Sequence, residues 1–194
     1  MAMMEAMRRG WRGMLGAAAL AAIPCPAAAQ DAPSLAEARA SMLGRWEGTF
    51  EALDEGLASE SFAWPIAVSI EDAGDGRTLI ERQQFEAMKD DGALLVTVTL
   101  LDADEVTEFR SVYVRGSPPE HRTATLSLAD ARDAEHWTLH GVEDYVRDGE
   151  ELQARQSIVR DGETMVVTYE VDPAGEEPPF GRTRRTLRRV GAAP

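Results

Sequence analysis

The chain has 194 residues, 34 of them acidic and 20 basic, for a formal charge of −14. So acidic a surface repels nucleic acid and anionic membranes and argues against both as partners. Cys25 is the only cysteine, which excludes an internal disulfide framework and a cysteine metal site.

Residues 1–29 read as a secretory signal peptide. Arg8, Arg9 and Arg12 make the start positive, and Leu15 to Ile23 form a short apolar run. Pro24 and Pro26 break it, and Ala27-Ala28-Ala29 offers a small-x-small cleavage site before Gln30. The apolar run falls short of the roughly twenty residues that span a bilayer. Cleavage predicts a periplasmic or secreted protein of residues 30–194, a single domain with no transmembrane segment. It also removes Cys25, and because the leader holds three Arg and one Glu, the charge becomes −16. Asn is absent, so no N-glycosylation acceptor exists.

Residues 30–43 predict a short helix. Ser34 caps it and Glu37 closes a capping box, with Leu35, Ala38, Met42 and Leu43 as its apolar stripe. Helical periodicity then gives way to alternation. Trp46, Gly48 and Phe50 alternate with Glu47, Thr49 and Glu51, the period of a strand with one apolar face. Similar runs follow at Phe62–Ile70, Thr78–Ala87, Leu94–Leu101, Phe109–Arg115, Arg122–Leu128, His136–Val142, Leu152–Val159, Thr164–Val171 and Thr183–Val190.

Ten short strands argue for an all-β domain. The pairs Asp75-Gly76, Asp91-Gly92, Asp148-Gly149 and Asp161-Gly162 are hairpin signals, since Gly supplies positive φ and Asp bonds locally. No gap holds the crossover helix of a parallel sheet. The fold class expected is an antiparallel up-and-down β-barrel of about ten strands with a short N-terminal helix, because closing a meander removes its edges. A Greek-key sandwich is the alternative. The longest breaks are Ser117-Pro118-Pro119-Glu120 and Pro173 to Pro179.

Chemistry-bearing motifs are sparse. No phosphate-cradling Gly loop, Gly-x-Ser-x-Gly elbow or His-Glu-x-x-His occurs. His136 and His140 lie roughly 13 Å apart along one strand, too far to share a metal. The acidic clusters Asp102 to Glu105, Asp130 to Glu135 and Glu143-Asp144 lack a calcium loop's spacing and read as solvated strand ends. No catalytic residue, metal site or cofactor is therefore nominated. Polar residues within strands are more informative. Arg82 and Gln84 share one face of the third strand, while Arg155 and Gln156 take opposite faces of the eighth. A buried Arg marks either a ligand anion or an internal acidic partner. Arg82, Gln84, Arg155, Tyr113 and Trp137 are the ligand-binding candidates, with Tyr145 and Tyr169 as further pocket or core residues. The arginines from Arg182 to Arg189 fall on both faces of the last strand and neutralise acidic neighbours.

Gly44-x-Trp46 at the start of the first strand, with a meander and an Arg-bearing last strand, resembles the calycin superfamily, which includes lipocalins and fatty-acid-binding proteins. The fuller Leu43-Gly44-x-Trp46-x-Gly48 is similar to lipocalin-like families of uncharacterised bacterial proteins and to nitrobindin-type barrels. The resemblance implies that Trp46 and Gly44 close one barrel end, with a late Arg, Arg185 or Arg188, across the indole. An Arg stacks well on so large a flat ring on physical grounds as well. Nitrobindin-type barrels hold haem through a late His, but no His follows His140 here. The resulting reading is an exported barrel that binds a small apolar or amphipathic ligand without catalysis. The alternatives are a calycin-type lyase or isomerase using Arg82, Gln84 and Arg155, and an envelope scaffold with a filled barrel. Oligomeric state is not encoded in any of these features.

Overall fold

A computed structural model describes residues 32–52, 62–86, 95–147, 150–173 and 182–192. Residues 1–29, read as a signal peptide, the pairs Asp91-Gly92 and Asp148-Gly149, residues 174–181 and the side chain of Tyr145 lie outside the described residues. One helix, α1 (Leu35–Ser41), precedes ten strands: β1 (Gly44–Ala52), β2 (Phe62–Asp72), β3 (Thr78–Phe85), β4 (Leu95–Leu101), β5 (Thr107–Val114), β6 (Glu120–Asp133), β7 (His136–Arg147), β8 (Glu150–Asp161), β9 (Thr164–Pro173) and β10 (Arg182–Gly191).

Every strand pairs antiparallel with its sequence neighbours, and β1 pairs with β10 to close the barrel. Closure is what separates this fold from the Greek-key sandwich. Two of the Asp-Gly turns are visible, with Gly76 at φ 70° and Gly162 at φ 58°. Strand β6 runs longer than its alternation implies, and its pairing with β7 slips between Ala129 and Asp133, where Asp130 adopts φ 50°. Such a bulge lets a long strand curve around one end of a barrel.

The helix is shorter than predicted because its cap fixes the start. The Ser34 side chain accepts from the Glu37 amide while the Glu37 carboxylate accepts from the Ser34 amide, so Leu35 is the first helical residue. The Ser34 amide and hydroxyl both donate to the Glu37 carboxylate and hold its pKa below the ordinary value. Leu35 and Ala38 are buried, and the helix stoppers the end of the barrel where β1 begins.

Trp46 lies beneath that helix, 1% exposed, and its Nε1 donates to the Met42 carbonyl at 2.9 Å. Trp137 fastens the helix from the other side, its Nε1 donating to Ser41 Oγ at 3.1 Å and to the Ala134 carbonyl at 2.9 Å. The glycines of the opening motif have steric reasons to be there. Gly44 sits at φ 139°, and a Cβ at Gly48 would stand 1.9 Å from the Thr186 carbonyl oxygen. Strands β1 and β10 thus approach more closely than a side chain at 48 permits.

The barrel-closing arginine differs from both predicted choices. Arg189 pairs directly with Trp46 across β1 and β10, with its guanidinium carbon 5.0 Å from the ring centre. Its Nη2 donates to the carbonyls of Ser41 and Leu43. Arg160 from β8 makes a second cation–π contact, at 4.5 Å. Arg188 is exposed, and Arg185 points into the barrel farther from this end. The slip in pairing between Arg45 and Trp46 sets this register, and residue spacing alone does not reveal it.

Candidate functional site

Above the Trp46 plug the barrel encloses a cavity of about 290 Å³. Aliphatic side chains line its lower part, among them Ile70, Leu79, Leu126, Ile158 and Val167. Toward the other end stand Phe50, Phe85 and Trp64, whose ring centres lie 5.5 to 6.3 Å apart. Between these apolar regions the wall is charged.

The polar group comprises a connected series of side chains from six strands and the helix, and a separate pair across the cavity. Arg39 of α1 donates to Thr99 Oγ1 at 2.6 Å and to the Arg77 carbonyl at 3.1 Å, and pairs with Glu108 at 3.0 Å. Glu108 also pairs with Arg110 at 2.8 Å, and Arg110 donates to Gln156 at 2.7 Å and to Glu143. Glu143 is 1% exposed and meets Arg122 at 3.4 Å. Arg122 continues to Tyr169 and to the half-exposed Glu120. Across the cavity, Arg185 pairs with Glu81 and donates to Gln83 at 3.0 Å.

The alternation of sign explains why these charges tolerate burial, since each internal carboxylate touches at least one guanidinium. Burial alone would lower the pKa of Arg110, but Glu108 and Glu143 more than offset it and raise the value. Arg122 is likewise raised despite burial, through Glu120, Tyr169 and Glu143. Arg39 shows the opposite balance, lowered by burial that Glu108 offsets only in part. Arg160, near the plug, is lowered by burial and by the neighbouring charge of Arg189.

None of the five ligand-binding candidates from the sequence lines this cavity. Arg82 is on the outer face and pairs with Glu71 at 2.8 Å. Gln84 shares that outer face, because the inward residues of β3 are Leu79, Glu81, Gln83 and Phe85. Arg155 is also outside, paired with Asp172 at 3.4 Å, and Tyr113 is exposed. Trp137 is buried, but it serves the helix at the closed end. The lyase or isomerase reading therefore loses the residues on which it was built. Glu143, expected at a solvated strand end, is instead among the most buried side chains.

The residues that do line the cavity carry a signal only in hindsight. Arg122 lies two and four residues before Ala124 and Leu126, and Glu143 two and four after Gly141 and Leu139. All of these point inward. Glu81 and Arg110 likewise lie two residues from Leu79 and Val112, which also line the cavity.

A haem ligand does not emerge from this interior. His121 is exposed and bonded to Ser111, His136 is held by Asp133 at 2.7 Å, and His140 is exposed on the outer face of β7. No histidine reaches the cavity, so the histidine ligation of nitrobindin-type barrels finds no residue there. Among the described residues no group of three or more His, Cys, Asp or Glu is placed to hold a metal ion. No described helix is long and apolar enough to cross a membrane.

No protein-family model matches the chain, and no curated protein matches it. Solved structures do. Rv2717c from M. tuberculosis superposes with a TM-score of 0.56 at 16% identity, over 82% of this chain and 99% of that one. A protein of unknown function from the DUF3598 family of Nostoc punctiforme matches at 11% identity and a TM-score of 0.25, over 81% of this chain and 100% of that one. At such identities the first likeness concerns the barrel fold alone, and the second carries no argument.

Proposed function

We propose that the protein is a lipocalin-like barrel that binds one small amphipathic molecule inside its cavity, without catalysis, outside the cytoplasm. One observation carries this reading: the cavity of about 290 Å³ has aliphatic walls and, facing them, an internal set of arginines and carboxylates. An apolar lining with a few convergent polar groups is the usual make-up of a small-ligand site. A filled scaffold would have no reason to keep this space beside so many buried charges.

Kinship with the calycin superfamily belongs to the same proposal. Its support is Gly44-x-Trp46-x-Gly48 at the closed end, with an arginine of the last strand on the indole. Export is supported by the order of residues 1–29.

Native mass spectrometry with fluorescent-dye displacement by fatty acids, isoprenoids and haem tests the reading. The expected result is displacement at one site per chain by an amphipathic chain molecule, with haem ineffective. An empty protein that takes up none of these compounds would overturn it.

A further inference from the structure

The charged residues around the cavity are not equally satisfied. Glu108 has Arg110 on one carboxylate oxygen and Arg39 on the other. Glu143 has Arg110 on one oxygen and Arg122 and Tyr169 on the other. Arg185 is different. All its contacts run through Nη1, to Glu81 and Gln83. Its Nε and Nη2 have no hydrogen-bond partner among the described residues, and the side chain borders the cavity with 14% of its surface exposed. Nε and Nη2 form one edge of the planar guanidinium, the fork that meets both oxygens of a carboxylate. Across the cavity, Arg110 Nε is also buried without a partner.

The charge count has the same sign. Among the described residues, Arg39, Arg110, Arg122 and Arg185 meet three enclosed carboxylates, Glu81, Glu108 and Glu143. Glu120, a further partner of Arg122, is 54% exposed and screened by water. Among the described residues, this series around the cavity therefore holds one more cation than enclosed carboxylates, within a chain whose total charge is −14. A monoanion in the cavity would complete both the hydrogen bonding of Arg185 and the local charge balance. An amine would find one open oxygen on Glu81 but would add to the excess.

We infer that the cavity selects a carboxylate-bearing amphiphile, and that the Nε–Nη2 edge of Arg185 receives the carboxylate while the chain lies toward the aliphatic wall. This inference rests on the binding function proposed above. Charge-assisted bonds of this kind exceed those to neutral groups, so they separate headgroups on a common tail.

Titration calorimetry with decanoate, decanol and decylamine tests it on the whole protein. Wild type is expected to prefer decanoate over decanol by about tenfold or more, with decylamine weakest. In Arg185→Gln that preference should fall to near unity, and in Arg185→Lys, which keeps charge but not the fork, it should be intermediate. Glu81→Gln should raise the preference, because it releases Arg185 from its internal competitor. That variant also guards against a fold lost in the Arg185 substitutions. Equal binding of decanoate and decanol by wild type, or an unchanged preference in Arg185→Gln, would overturn the carboxylate assignment and leave the binding function standing. Binding of none of the three probes would overturn both.

Discussion

Arg189 lies across the indole of Trp46 while its Nη2 donates to the carbonyls of Ser41 and Leu43, so one guanidinium joins the first strand, the last strand and the end of the helix. The contact spans nearly the whole folded sequence, and it makes closure of the barrel and docking of the helix a single event. Arg188 lies one residue away and faces solvent. Arg189→Met should therefore cost about 1.5–3 kcal/mol, in the range of hydrogen bonds from a charged donor. Arg188→Met should stay within about 0.5 kcal/mol of wild type. Trp46→Ala, which also leaves a void, should cost about 3–5 kcal/mol. Urea denaturation followed by far-UV circular dichroism ranks the three.

Gly48 tests the close approach of β1 and β10. A Cβ there would stand 1.9 Å from the Thr186 carbonyl oxygen, and backbone cannot yield as a flexible side chain does. Gly48→Ala should destabilise by more than about 2 kcal/mol or abolish folding, well above a surface change. A thermal midpoint close to wild type would contradict this packing.

Within the interior series, removing one member differs from removing two. Glu143→Leu strips a partner from both Arg110 and Arg122 and should cost about 3–5 kcal/mol. Arg110→Met should cost less, since Glu108 keeps Arg39 and Glu143 keeps Arg122. The double substitution should be more stable than the sum of the singles implies, by about 1–3 kcal/mol. A double-mutant cycle in urea measures that coupling.

Two turns at the closed end use the same device, and one yields a pH prediction. The Asp75 carboxylate accepts from the Thr78 hydroxyl at 2.6 Å and from the amides of Arg77 and Thr78, and these bonds lower its pKa from 3.8 to about 2. Asp104 is lowered in the same way by Val106 and Thr107. A carboxyl depressed in the folded state stabilises it fully above the unfolded value. That contribution is lost as pH falls from 3.8 through about 2. Carboxyl NMR titration should place the Asp75 midpoint near 2 and move it toward 3.8 in Thr78→Val.

The architecture was legible because it follows from alternation and turns. Trp46 in the first strand and the Asp-Gly turns after β2 and β8 lead to a meander, and the structure closes it. The site was not legible, for a physical reason. Reading a face from polarity assumes apolar residues inside, but here Glu81, Gln83, Glu108, Arg110, Glu143 and Arg185 point inward and satisfy one another across strands. On β3 both faces mix polar and apolar residues, Ile80 and Arg82 outside against Leu79 and Glu81 inside. Arg82 and Glu81 then look alike in sequence, and only the register tells them apart. The same ambiguity in the arginine-rich last strand hid Arg189 behind Arg185 and Arg188.

Thr97 lies on the cavity wall between Glu81 of β3 and Val112 of β5, where a larger side chain extends into the space without touching the plug. The most direct test of the central claim is dye-displacement titration of Thr97→Phe beside wild type, with folding checked by circular dichroism. The cavity account predicts that a folded Thr97→Phe protein loses binding of both dye and amphiphile by at least about tenfold. Unchanged binding by that folded variant would place the ligand elsewhere and contradict the account.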